Sequence, residues 1–359
     1  RPEFQGYESS NGNDPYSVTA NGDEAQIRVD QLRALADRAG AIYDAVDPAR
    51  RDAFYEMFYY PLRSSANSLA MHVYWQKNQL YKKQGRYASV RKYQDLSVAA
   101  YDGILSDMIY YNKTIRDGKW DKIMNPYNGS IPVAVGLRSF ATVEATDAKP
   151  GIGAVCEGQE LPGDAVTLTF SSLSDNRRFI DIYSREEAAN DWTVEVSDDF
   201  IQPSETSGSV AVETRIWIGI DWSKAKRGEN TGTVTVRDTK GTEIIFQVSA
   251  NKTASRLSGK TYAEENGLVA IEAEHYSESV AKNGCAWRVV KNLGRSGDSM
   301  KLYPDLAPRV DEDFENTAAQ LKYNIYFESS GTFTGTLYRI PTLNEGSENG
   351  VAKTCRIAV

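Results

Sequence analysis

Cysteine, histidine and long apolar runs are what this 359-residue sequence has least of. Its three cysteines, Cys156, Cys285 and Cys355, are odd in number and far apart, with no C-x-x-C pair and no histidine at ligand spacing. Neither a disulfide framework nor a structural zinc fits that set. Only His72 and His275 are available as imidazole bases. The nucleophile elbow G-x-S-x-G, the phosphate loop G-x-x-x-x-G-K-[ST] and the metalloprotease pair H-E-x-x-H are all missing. No apolar run approaches the roughly 18 residues of a membrane span, so no contact with a membrane is expected. Forty-one Lys and Arg stand against forty-nine Asp and Glu, a net charge of −8, with no basic block to track a phosphate backbone. Nucleic acid is not an expected partner. Arg1 is not a start Met, the first twenty residues hold no apolar signal core, and Thr354 to Val359 reads as a strand cut in progress. The chain is therefore expected to be a piece of something longer.

What is present divides into a helical part and a β-rich part. From residue 21 to about 117 apolar residues recur at three- and four-residue steps. The first helix follows a cap at Asn21 or Asp23 and carries the stripe Ala25, Val29, Leu32, Ala36, Ala39, Tyr43, Val46. Asp47-Pro48 ends it and opens a second helix, expected to stop before Pro61. A third is expected from about Ser65 to Gln84, closed by Gly85. A fourth carries Val90, Tyr93, Ser97, Tyr101, Ile104, Met108, Tyr111 and Ile115 and stops at Gly118. Short loops between such helices predict an antiparallel bundle over residues 1–128.

After Trp120 the glycines and prolines at 126, 129, 132, 150, 151 and 153 mark a linker. Short alternating segments then follow at 165–170, 178–183, 192–196, 210–220, 232–237 and 243–248, predicting a β-sandwich over 129–252. A second set at 268–274, 286–290, 299–303, 318–327 and 332–339 predicts another sandwich, 253–359, that is incomplete at its end. No period of 20 to 50 residues repeats. The fold class expected is multidomain, α then β: an antiparallel helical bundle followed by two β-sandwiches, the last truncated.

Chemistry is sparse. A glycosidase needs two carboxyl groups facing across a pocket, commonly at the ends of barrel strands, and this sequence has no βαβ alternation. No catalytic residue is assigned. The bundle is dense in aromatics, among them Tyr55, Tyr60, Trp75 and Tyr81, which either stack on sugar rings or pack the core. Asn67, His72, Asn78, Gln79, Gln84 and Arg86 either bind a ligand or form a solvated helix face. Glu272 and Glu274, at i and i+2, share one face if their segment is a strand, where they are able to hold a hard cation such as calcium; the other reading is two exposed edge acids. Trp287 is a core residue or a sugar platform. The carbohydrate contacts singled out are Tyr60, Asn67, His72, Arg86, Trp120 and Trp287, with Glu272 and Glu274 as metal ligands; no cofactor is required beyond a possible structural calcium.

Several blocks in order resemble one family. Ile271-Glu272-Ala273-Glu274-His275-Tyr276, Trp287-Arg288-Val289-Val290, Leu293 to Met300 and Pro304 resemble the C-terminal module of glycoside hydrolase family 115. Arg51 to Glu56 with Tyr60-Pro61, Gln84-Gly85-Arg86, Tyr111-Asn112 and Gly118 to Met124 are similar to that family's helical domain. Asn176 to Tyr183, Trp192-Thr193-Val194 and Ile220-Asp221-Trp222 resemble its inserted sandwich, which is similar to the BACON modules of gut Bacteroidetes. The sequence departs from the family after Trp120, where Asn125 to Gly129 passes straight to Ile131-Pro132 in place of a His- and aromatic-containing stretch. The resemblance implies a xylan α-1,2-glucuronidase, an inverting enzyme that removes glucuronic acid or its 4-O-methyl ether from glucuronoxylan. Its catalytic carboxylates would lie in a barrel N-terminal to the helical domain, so this chain would be the non-catalytic C-terminal half, supporting the barrel, dimerisation and substrate access. Plant xylan or glucuronoxylan oligosaccharides, a homodimer with Trp217, Ile220 and Trp222 as apolar anchors, and a periplasmic or secreted location are implied with it. The competing reading is a carbohydrate-binding or scaffold protein without catalysis.

Overall fold

The computed structural model describes residues 16–124, 137–174, 177–253, 257, 259–265, 267–294, 297–305, 310 and 312–340. It contains a helical region followed by β-sheets, as expected from the sequence, and it forms two compact units. One comprises residues 1–170 and 176–251, and the other residues 171–175 and 252–359. The expected terminal strand with Cys355, and the Asn125 to Pro132 stretch, lie outside the described residues, as do Arg295 and Ser296.

In the first unit, α1 (Glu24–Ala45) is capped by Asp23, whose carboxylate accepts from Gln26 N–H. Ala25, Val29, Ala36 and Ala39 bury the expected stripe. Asp47 caps α2 (Pro48–Phe54), with Pro48 in the first turn, where no N–H partner is lost. The expected stop before Pro61 does not occur. Tyr55–Tyr59 instead forms a π-helical turn that leads directly into α3 (Tyr60–Gln84). Tyr60 N–H donates to Tyr55 O, and the shifted register places Pro61, which has no N–H to give, at the start of the new α-helical segment. Gly85, at φ 73°, closes α3 in the left-handed region. Then α4 (Tyr87–Lys113) runs back along α3, ending short of Gly118 because Arg116, Asp117 and Gly118 take left-handed backbone, at φ 51°, 54° and 75°. Leu69, Val73, Tyr74, Tyr81, Val90, Tyr93 and Ile104 lie in the core between these helices and α1.

The sandwich of this unit has one sheet ordered β1 (Ile152–Cys156), β3 (Arg178–Ser184), β7 (Glu213–Ile220), β5 (Ile201–Pro203). The other is ordered β2 (Thr167–Ser171), β9 (Glu243–Lys252), β8 (Gly228–Asp238), β4 (Asn190–Val196), β6 (Ser207–Val210). Ile180, Ile182, Ile216 and Ile218 point between the sheets and are fully buried. The alternate residues of β3, namely Phe179, Asp181 and Tyr183, are buried as well. Their cover is the helical layer: Tyr183 Oη donates to Gln84 O at 2.8 Å, and Asp181 meets Arg86. The sandwich thus has helices packed on the outside of one sheet. Strand β1 lies in what the sequence reading takes as a linker; Gly153 is needed there because a Cβ would sit 2.4 Å from the Tyr183 ring.

In the second unit, short strands pair two by two: β10 (Thr261–Ala263) with β15 (Asn324–Tyr326), β11 (Glu278–Val280) with β14 (Gln320–Lys322), and β12 (Ala286–Val290) with β13 (Ser299–Tyr303). The expected strand at 268–274 is absent. Ala273–His275 is a 3-10 turn, with His275 N–H donating to Glu272 O at 2.9 Å. Residues 332–339 form no strand either.

Candidate functional site

Two places gather the polar chemistry of the first unit. The first is the seam between helices and sandwich. Register alone puts Asp181 of β3 opposite Arg215 of β7, and Glu213 on the same outward face two residues away. The turn from α3 to α4 delivers Arg86 onto them. Its guanidinium lies 3.2 Å from Asp181 Oδ2 and 3.4 Å from Glu213 Oε2, with Nε donating to Gln84 Oε1. It is sandwiched by rings, 3.9 Å from the Tyr81 centroid and 4.8 Å from that of Tyr183. Arg215 closes the other side of Asp181 at 2.7 Å and reaches Asp23 Oδ2 at 3.3 Å; Lys77 binds the same oxygen of Asp23 at 2.8 Å. Lys92 and Ser89 complete the shell of Glu213.

Burial works against the charge on Asp181, yet Arg86 and Arg215 hold its carboxyl below the ordinary range. Glu213 is likewise buried and is held low by Arg86 and Lys92. Burial lowers Lys77, and Asp23 opposes that shift. Arg86, proposed from sequence as a sugar contact, is corrected by this geometry: it is 2 % exposed and every direction of its fork is taken by protein. A buried, paired guanidinium fastens two layers together and has no free donor edge for a ligand. Gln84, Asn78 and Gln79 are committed in the same way, to Glu160 O, to Val90 O and Ala141 O, and to Ser139 O.

The second place is the tyrosine cluster around the π-turn. The wide turn sends Tyr55, Tyr59 and Tyr60 toward Tyr43 of α1 and Tyr110 and Tyr111 of α4. Tyr43 Oη and Tyr110 Oη are hydrogen-bonded at 2.8 Å, and Tyr55 Oη donates to Asp107 O at 3.2 Å. Arg63 stacks over Tyr59 and pairs with Asp107 at 3.0 Å. Burial raises the Asp107 carboxyl, with Arg63 pulling the other way, and its Oδ2 has no hydrogen-bond partner among the described residues. Trp120 packs on the same cluster, its Nε1 also buried and without a partner among the described residues. Of the sequence-selected residues, Tyr60 and Trp120 therefore come together, both half-buried. Asn67 lies further along α3 against Gly103, where its amide would meet any added Cβ at 2.7 Å. His72 is buried higher still; desolvation, with Arg138 beside it, lowers its pKa to about 4. Asp107 and Arg63 are not among the residues selected from sequence; the signal was an acid three residues after Ile104 and four before Tyr111, on the apolar stripe of the helix.

In the second unit, Trp287 is half-buried, its Nε1 donating to Ala319 O at 3.0 Å. Glu272 and Glu274 do not share a strand face, because the segment turns at Ala273–His275. Glu274 Oε1 accepts from Asp298 N–H at 2.9 Å, while its Oε2 is buried without a hydrogen-bond partner among the described residues. Among the described residues no group of three or more His, Cys, Asp or Glu is placed to hold a metal ion. Trp217 stacks edge-on against Phe179, and Ile220 and Trp222 pack on the sandwich core.

Among the described residues no helix is long and apolar enough to cross a membrane. No curated protein matches the chain. Solved structures similar to parts of it include a family GH115 4-O-methyl-α-glucuronidase, BtGH115A, with specificity for decorated arabinogalactans. It is 15% identical, covering 64% of this chain and 33% of that one, with TM-score 0.28. A Bacteroides ovatus GH5 xyloglucanase in complex with a XXXG heptasaccharide is 19% identical over 34% of this chain and 24% of that one, with TM-score 0.23. A PapD-like domain of human CEP192 is 12% identical over 33% of this chain and 99% of that one, with TM-score 0.23. The chain thus spans about a third and a quarter of the two carbohydrate-active enzymes. Residues 261–356 match the family model described as the glycosyl hydrolase family 115 C-terminal domain. Over those residues the chain is similar to the C-terminal domain of glycosyl hydrolase family 115.

Proposed function

We propose that the chain is the non-catalytic C-terminal portion of a family 115 α-glucuronidase that removes glucuronic acid or its 4-O-methyl ether from glucuronoxylan. The observation that carries the proposal is the family match over residues 261–356. The helical bundle is suited to supporting a catalytic domain: around the π-turn, Met57 is 66% exposed and Phe58 57%, large apolar side chains of the kind that a second domain covers. On this reading the protein works as a homodimer in the periplasm or outside the cell, where it meets polymeric glycan. The expected result is that the whole protein encoded by the gene releases 4-O-methylglucuronic acid from glucuronoxylan, whereas the purified 359-residue chain releases none. Inactivity of the whole protein on every uronate-decorated glycan would favour a binding or scaffold role. Light scattering of the whole protein at micromolar concentration tests the dimer, and a strict monomer removes it.

Calcium in the second unit is part of the same proposal. The donor set fits only in part: Glu274 Oε2 has no hydrogen-bond partner among the described residues, and the remaining ligands would have to be carbonyls and Glu272. Calorimetric titration of metal-free protein decides it. Heat that disappears in Glu274→Gln supports the site, and equal heat in both proteins retires it.

A further inference from the structure

A cleft of about 940 Å³ opens in the first unit between the α3–α4 turn, the edge of β1, the 159–166 loop and β9. The protein carries a net charge of −8, yet this cleft collects Lys82, Lys83, Lys149 and Arg185. Two acids share the lining, and both are engaged: Asp147 with Lys82, and Asp164, whose carboxylate accepts from Leu161 N–H at 2.7 Å. The acids that follow Arg185 are also spent, Glu186 on Lys240 and Gly151 N–H, and Glu187 on Arg91. Lys83, Lys149 and Arg185 form no ion pair with another described residue.

These three cations are held by rigid backbone. Lys83 stands in the last turn of α3, just before the left-handed Gly85. Lys149 N–H donates to Arg185 O at 2.9 Å, and Arg185 N–H donates to Gly151 O at 3.1 Å, which fixes both at one end of the β1–β3 ladder. Beside them the cleft offers apolar surface to solvent, with Leu161 42% exposed and Ile245 52% exposed, and with Pro162 between the loop residues. Unpaired cations beside open apolar walls suit a ligand with carboxylates on a body that has C–H faces, and the volume lies within the range of about 300–1,000 Å³ usual for small-molecule clefts. We infer that this cleft binds an acidic oligosaccharide, its carboxylate held by Lys83, Lys149 and Arg185 and a sugar ring laid on Leu161 and Ile245. The choice of a saccharide over another organic acid rests on the function proposed above.

Calorimetry on the 359-residue chain tests it with three probes: an aldouronic acid (a xylo-oligosaccharide bearing 4-O-methylglucuronic acid), the same oligosaccharide without the uronate, and inorganic phosphate. The expected result is binding of the aldouronic acid alone, weakened at least tenfold in a Lys83→Ser/Lys149→Ser/Arg185→Ser variant and weakened by raising salt from 50 to 500 mM. The unfolding midpoint of the variant should match that of the parent, since none of the three side chains holds the fold together. Absence of binding, equal binding of the neutral oligosaccharide, equal binding of phosphate, or unchanged affinity in the triple variant would each overturn the inference. A whole protein that hydrolyses glucuronoxylan while the chain ignores the aldouronic acid refutes the cleft and keeps the enzyme. Binding by the chain within an inactive whole protein does the reverse.

Discussion

Arg86 and Asp181 meet at 3.2 Å across 95 residues of sequence, one at a helical turn and the other on the outer face of a strand. That contact ties the bundle to the sandwich, since both partners are buried and neither has water to fall back on. Removing one leaves the other with a single counter-charge in a buried seam, Arg215 for Asp181 and Glu213 for Arg86. Arg86→Met or Asp181→Asn should therefore destabilise the first unit, with about 3–5 kcal/mol, the range for breaking a buried pair outright, as the ceiling. Urea denaturation of the 359-residue chain measures it. Lys240→Met, which breaks a surface pair with Glu186, should leave the urea midpoint close to that of the parent.

The same seam should loosen in acid. Asp181 and Glu213 have folded-state pKa values below their ordinary 3.8 and 4.5, so the folded protein binds fewer protons than the unfolded chain there. Their contribution is complete above those ordinary values and is lost as pH falls below them, toward the lower folded values. Thermal melts between pH 5 and pH 2.5 should show stability dropping most steeply below about pH 4.5, and the Glu213→Gln variant should show a shallower drop.

His72 adds a separate step at higher pH. Its pKa is lowered from 6.5 to about 4 by burial and by Arg138, so acid favours the unfolded chain, where the imidazole is free to protonate. Stability should fall as pH goes from about 6.5 to about 4, by up to about 3 kcal/mol at 1.36 kcal/mol per pKa unit. In His72→Leu the unfolding free energy should be flatter across that window, and an unchanged slope would place the titration elsewhere.

Much of this was legible in the chain because the periodic signals are strong. Asp23, Asp47 and Gly85 mark helix ends by their own chemistry, and the alternation in β3 and β7 announces strands. What was not legible is what lies on the other face. Arg178 to Ser184 alternates as a strand half open to water would, yet both faces are buried, because Asp181 finds its arginines only once the helices have docked. The same long-range pairing turns Arg86 from a sugar contact into a fastening. Pro61 misled because its cost in a helix is absorbed by the π-turn before it, a shift in hydrogen-bond register that local spacing does not disclose. At Glu272 and Glu274 an apolar–acid alternation imitates a strand, although the backbone turns at Ala273.

Gly153 offers the sharpest test of how the layers fit. It lies opposite Tyr183 in the β1–β3 register, and a Cβ placed on it would be 2.4 Å from Tyr183 Cε2 and 2.6 Å from Oη. A flexible neighbour could step aside, but this ring is not one: its hydroxyl donates to Gln84 O at 2.8 Å, its face carries the Arg86 guanidinium, and the residue is 1% exposed. Gly153→Ala must therefore displace the ring or bend β1, and overpacking of this kind costs about 1–3 kcal/mol. The backbone at Gly153 is not in the left-handed region, so alanine meets no conformational penalty there and the loss would be steric. The double variant Gly153→Ala/Tyr183→Ala separates the two effects. It should be less destabilised than the sum of its single variants, because the truncated Tyr183 leaves room for the new methyl group. Additive losses in urea denaturation would show that Gly153 is required for some reason other than the ring.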